Sequence, residues 1–172
     1  MAGVGIEVKL EGFGALRRKL AKLSNVDLGK ALDAVGATVV DQTVERFERE
    51  QDPEGQPWRP LQAQTVVRKL GGSRKAYKKR GGLTARSRRH LGAIKILQDD
   101  GMHGGLLGSI HHEVGHGQVI VGSNKEYAAI HQFGGAEAGK PEIPARPYLG
   151  LSPENIAEVT EVVGDFIRHQ VK

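Results

Sequence analysis

Residues 27–51 read DLGKALDAVGATVVDQTVERFEREQ. Leu28, Leu32, Val35, Val39 and Phe47 fall along one side of a helix, with Ala31, Val40 and Val44 beside them. A continuous helix of this length spans ~37 Å, enough to carry the rest of a domain on one apolar stripe. Asp52-Pro53 stops it, because a proline disfavours the helical conformation of the residue before it. A second amphipathic run closes the chain. Ser152 suits an N-cap and Pro153 the first helical position. From there Ile156, Val159, Val163, Phe166 and Ile167 are expected to face inward, in a helix running nearly to Lys172.

Two such helices need a surface to pack on, and the remaining patterns supply a small sheet. Gly5–Leu10 alternates, with Ile6, Val8 and Leu10 on one side. Leu106–Val114 and Gln118–Gly122 are β-rich runs around Gly115-His116-Gly117, which predicts a hairpin with a three-residue loop. Residues 13–23 place Phe13, Leu16, Leu20 and Leu23 at helical spacing, and 61–70 and Glu126–Phe133 read as short helices, the latter ended by Gly134-Gly135. Pro141, Pro144 and Pro147 predict an extended course for 136–152. The fold class is α+β: a small antiparallel β-sheet packed by a long helix and a C-terminal helix. At 172 residues the chain is expected to be one domain.

The composition removes several function classes. There is no cysteine, so disulfides, cysteine zinc sites and cysteine nucleophiles are excluded. No run reaches the ~18 apolar residues that a membrane span needs. The opening MAGVGIEVKLEG lacks the apolar core and cleavage site of a signal peptide. The net charge of +5 conceals a split. No Asp or Glu occurs between Gly55 and Gln98, and residues 68–95 hold eleven of the 25 Lys and Arg. The remainder has 14 basic and 20 acidic residues, a net of −6. Gly71-Gly72 and Gly81-Gly82 interrupt the basic stretch, and few apolar residues lie between Ser73 and Arg89. We therefore expect a long, mobile basic loop at about 71–89.

Each candidate chemistry has a plainer reading beside it. His112-Glu113-Val114-Gly115-His116 matches the HExxH pattern of zinc proteases, whose two histidines share a metal only on a helix. The flanking residues favour a strand, on which positions four apart lie ~13 Å apart, too far for one zinc. His103 and His111 add to a sequence cluster with His112 and His116, for which a surface metal site is the sharper reading and a hairpin tip carrying polar residues the plainer, favoured one. No GxSxG, phosphate loop or triad pattern is present, so no catalytic residue, metal or cofactor is assigned. Arg74, Lys75, Lys78, Lys79, Arg80, Arg86, Arg88 and Arg89 suit phosphates or an acidic protein surface; the alternative is a solvated loop that touches nothing. Tyr77 is the only aromatic among them, which leaves base stacking little to use. Trp58, held between Pro57 and Pro60, either plugs the core or anchors a partner, the core being the blander reading. His131, beside Tyr127 and Phe133, suits packing or hydrogen bonding better than catalysis. Residues 139–149 display an Arg and a Tyr, Arg146 and Tyr148, around Pro147, as a subunit contact would. A simple connector to the last helix would look the same.

Three segments in order are similar to the phage virion morphogenesis family, a Mu G-like group related to tail completion proteins of tailed phages. They are DPEGQPWRPL at 52–61 following Phe47, VGSNKEYAAIHQFGG at 121–135 and IPARPYLGLSPEN at 143–155. KILQDDG at 95–101 and LLGSI at 106–110 add to the likeness. Met102-His103-Gly104-Gly105 stands as an insertion relative to the family pattern, and the basic stretch is longer than in that pattern. The resemblance implies a structural protein of the virion, assembled in the host bacterial cytoplasm and placed at the head–tail junction. It implies a homo-oligomeric ring, commonly a hexamer, at the top of the tail. Neck or connector proteins, tail-tube proteins and DNA in the channel would be its neighbours, with no membrane. Trp58, Tyr127, His131, Phe133, Arg146, Pro147 and Tyr148 would then shape the subunit and its contacts. The alternative is a monomeric, sequence-nonspecific nucleic-acid-binding module using 68–95.

Overall fold

The computed structural model describes residues 4–8, 27–98, 105–115 and 117–170. The run at 13–23, His103 and His116 lie outside these residues. Helix α1, Leu28–Arg49, is the long amphipathic element. Asp27 caps its start, its side chain accepting from the Lys30 N–H. Glu50, left-handed at φ 54°, ends it by donating its N–H to the Arg46 carbonyl. The chain then folds into a tight hairpin: Gln51 pairs with Pro57, and the Asp52 side chain accepts from the Gln56 N–H. This turn delivers Trp58 back over the end of α1, where its N–H meets the Glu50 carbonyl.

Strands β1 (Val4–Val8), β2 (Ile110–Gly115) and β3 (Gln118–Ser123) form an antiparallel sheet of order β1-β3-β2. Ile6 lies opposite Val121, and Ile110 opposite Ser123. Gly115 pairs with Gln118, so the hairpin loop has two residues, not the three expected, and Gly117 supplies the positive φ such a turn needs. The strand expected from Leu106 begins only at Ile110; Leu107–Ser109 is a 3-10 turn in which the Ser109 hydroxyl bonds the Leu106 carbonyl.

Helix α1 lies across β2 and β3, and α6, Pro153–Gln170, packs against α1. Leu32, Val35 and Val39 meet Val119, Val121 and Val159 in one apolar core. Gly36 lets the layers approach closely, because a Cβ there would stand 2.4 Å from the His112 ring and 2.8 Å from Val119. Alternation along β3 turns Ile120 outward. Among the described side chains of α6 only Val159 is buried, and Ile156, expected inward, is 52% exposed because it lies at the margin of the buried stripe. Ser152 and Asn155 exchange side-chain and backbone hydrogen bonds at the start of α6, a reciprocal cap.

A second core joins the C-terminal end of α1 to the later loops. Phe47 stands edge-on to Trp58 and tilted against Tyr148, each at 5.4 Å between ring centres, with Ile96, Leu106, Ala128 and Leu149 around them.

The basic stretch is not the irregular loop expected. After α2 (Ala63–Lys69), the short helix expected at 61–70, the expected loop holds α3 (Ser73–Ala76) and the start of α4 (Ala85–Leu91). The glycine pairs are the turns between them: Gly81 and Gly82, both at positive φ, close a turn through Lys78 N–H to Gly82 carbonyl, and Tyr77 pairs with Leu83. Thr84 caps α4 by accepting from the Ser87 N–H, and its own N–H meets the Ala76 carbonyl. Ala76 and Ser87 are buried at this centre. Low apolar content was a misleading signal because small side chains and backbone hydrogen bonds, not bulky residues, hold the unit. Residues 135–143 likewise form a compact loop closed by Gly135 and Ile143 rather than an extended run.

Candidate functional site

Helix α5, Ala128–Phe133, and the segment after it face the basic unit across an open groove of about 1420 Å³. The groove is assembled by a few long-range ties. Gln132 accepts the backbone N–H groups of Tyr148 and Leu149 and donates to the Leu149 carbonyl, fastening the Pro-rich segment to α5 as a paired strand would. The Tyr148 hydroxyl donates to the Ala128 carbonyl. Trp58 donates its indole N–H to the Pro147 carbonyl at 2.9 Å. Arg46 donates to the Tyr148 carbonyl and to the Asn155 side chain, linking the same segment to α6. On the opposite wall, Gln98 donates to the Phe47 carbonyl and the Ile96 N–H to the Glu50 carboxylate, anchoring the basic unit to α1.

These ties correct one expectation. Arg146 and Tyr148 are not displayed on a stiff arm: they are 5% and 0% exposed. Proline-stiffened backbone suits presentation to a partner and insertion into a core equally well, because it loses little entropy in either. Here the carbonyls that flank the prolines are claimed by buried donors. Burial pushes the Tyr148 phenol well above its ordinary value. Trp58 is a core residue. Tyr127 and Phe133 are exposed, Phe133 at 73%.

Arg146 gives the groove its innermost charge. Its guanidinium donates to the carbonyls of Arg59 and Pro60, both neutral acceptors, and its backbone N–H to the His131 carbonyl. Burial first, and then the neighbouring Arg59, lower its affinity for the proton. His131, stacked edge-on to Tyr127, is pushed below its ordinary pKa by burial and then by Arg146. Across the groove stand Arg68, Lys69, Lys75, Arg86 and Lys95; Ile94, Leu97 and Leu106 form apolar lining between the walls, and among the described residues Glu142 is the one acidic lining residue. Among the described residues, no ion pair involves any basic side chain of 68–95.

The eight basic residues singled out from the sequence therefore divide. Lys75 and Arg86 line the groove; Arg74, Lys78, Lys79, Arg80, Arg88 and Arg89 are exposed outside it. Arg68, Lys69 and Lys95 belong to the site through the charge block, whereas Gln132 and Arg59 carry no sequence signal that would have placed them there. His112, Glu113, Val114 and Gly115 of the HExxH string lie along β2, not on a helix. His112 is hydrogen-bonded to Asp33 of α1 at 2.8 Å, and His111 to the Ser109 carbonyl. Among the described residues no group of three metal-binding side chains occurs, and no helix is long and apolar enough to cross a membrane.

Comparison with known proteins matches residues 10–168 to the model of the phage virion morphogenesis family. Mu-like prophage FluMu G protein 1 of Haemophilus influenzae is 30% identical over 159 residues, covering 92% of each chain. The putative capsid assembly protein G of Escherichia phage Mu is 31% identical over 149 residues, 84% of this chain and 83% of that protein. Mu-like prophage FluMu G protein 2 of Haemophilus influenzae is 46% identical over 70 residues, spanning 39% of this chain and half of its own length. No solved structure matches significantly.

Proposed function

The chain belongs to the phage virion morphogenesis family, and we propose that it is a structural ring protein at the head–tail junction, completing the tail and joining it to the head. Its membership makes it a phage structural or assembly protein. The finer placement is our reading, and the description of the Mu relative as a putative capsid assembly protein supports an assembly role for it.

The observation that carries the reading is the folded basic unit. It presents Arg74, Lys78, Lys79, Arg80, Arg88 and Arg89, all solvent-exposed, on a body that is otherwise acidic. Six copies in a ring would gather ~36 such cations around one axis, a field suited to DNA in the channel or to an acidic connector surface. No part of this role needs a catalytic group.

Electron microscopy of lysates from a phage lacking this gene tests it. Filled heads beside free tails are expected. Complete, joined particles would reject the joining role. The exposed cations also favour a second reading, a monomeric nucleic-acid-binding module. That reading predicts steeply salt-dependent DNA binding by a chain that stays monomeric.

A further inference from the structure

Helix α6 carries Glu154, Glu158, Glu161 and Asp165. Their spacing of four, three and four residues puts them within one narrow stripe, ~17 Å long, opposite the face that holds Val159. All four residues are exposed. Glu158 accepts from Gln42 of α1, and Asp165 pairs with Arg168, so the stripe is fixed in place and ends in its own counter-charge. Its members share no residue with the groove, whose walls hold Arg68, Lys69, Lys75, Arg86, Lys95 and Arg146.

One molecule thus offers, at the same time, a concave basic surface and a rigid convex acidic one. We propose that the groove of one copy receives the acidic stripe of α6 from a second copy of this chain. The proposal rests on the ring reading above and names the contact that builds the ring.

Three observations select this occupant. The charges are complementary in sign and segregated on separate elements, which favours association of unlike faces and opposes association of like ones. The Arg146 guanidinium is buried against neutral carbonyls only, so a carboxylate brought to the groove meets a cation whose desolvation has already been spent within the fold. Apolar side chains between the cationic walls suit the aliphatic stems and small residues of a helix better than a phosphodiester backbone, which has no apolar group to set there. A contact between unlike faces leaves a free groove at one end of the pair and a free helix at the other. Addition then continues until the rotation closes it into a ring.

The test measures the mass of the purified full chain by sedimentation at low and high salt. Self-association that weakens as salt rises is expected. The groove variant, Arg68→Glu with Arg86→Glu, should associate roughly tenfold or more weakly, and so should the stripe variant, Glu161→Lys with Asp165→Lys. Mixing the two variants should restore assembly, because each then meets an opposite charge. That rescue also shows that both variants fold. Assembly unaffected by either reversal would overturn the contact while leaving a ring built through another surface. A native chain that stays monomeric at low salt overturns it as well, and the knock-out particles then judge the ring separately. Loss of duplex DNA binding in the groove variant with no change in mass would assign the groove to DNA instead.

Discussion

At the residue scale, the groove depends on side chains that act as backbone. Gln132 satisfies two N–H groups and one carbonyl of a segment whose prolines prevent ordinary strand pairing. Gln132→Leu keeps the volume and leaves three buried backbone groups unpaired. It should cost about 2–4 kcal/mol in urea unfolding. His131 gives a prediction in pH. Its folded pKa lies below the ordinary ~6.5, with burial the larger cause and Arg146 the smaller. The folded state therefore resists a proton that the unfolded state accepts. Stability contributed by neutral His131 is complete above pH ~6.5 and is lost as pH falls from there toward the lowered folded value. The melting temperature should drop over that window, and His131→Gln should flatten the drop; an unchanged slope in the variant would show that other groups cause it. The sequence made some of this legible. A lone tryptophan among prolines announced a fixed position, and the structure fills that position with core. The same logic misplaced Arg146 and Tyr148, because pattern alone does not say which buried donor will claim a proline-flanked carbonyl.

At the element scale, α1 was legible because its signal is long and redundant: a sustained apolar stripe and a proline stop agree. Its glycine was not. Gly36 in mid-helix reads as a weakness, and replacing it by alanine would ordinarily stabilise a helix by ~1 kcal/mol. Here the added methyl would collide with the His112 ring and Val119. Gly36→Ala should therefore destabilise the protein by roughly 1–3 kcal/mol, read from chemical unfolding, and His112→Ala in the same chain should recover part of the loss. The basic unit was the element least legible from composition. Counting apolar residues failed there because α3 and α4 are held by a threonine cap, a buried alanine and paired glycine turns. Thr84→Ala removes the cap of α4 and its bond to Ser87, and about 1 kcal/mol of local stability should go with it. Hydrogen exchange of the α4 amides measures that loss directly, while exchange in α1 should remain unchanged.

At the scale of the whole molecule, charge segregation is the property that the fold organises. The stretch 68–95 is continuous in sequence, yet folding divides its cations between the groove and an exposed outer surface. One linear block thereby gains two sites that can be tested apart. The outer residues make no ion pairs among the described residues, and surface substitutions of this kind usually change stability by under ~0.5 kcal/mol. Replacing Lys78, Lys79, Arg80, Arg88 and Arg89 by alanine should leave the melting temperature and the self-association of the purified chain nearly unchanged. In a phage carrying these substitutions, infectious particles should nevertheless fall, since the ring would form without the field that draws DNA or the neck surface to it. Normal titres would sink that assignment and leave the outer cations as solvated surface. Reduced titres with rings visible on free tails would separate the two roles of the block: the groove would hold copies together, and the outer face would meet what passes through or docks on the ring.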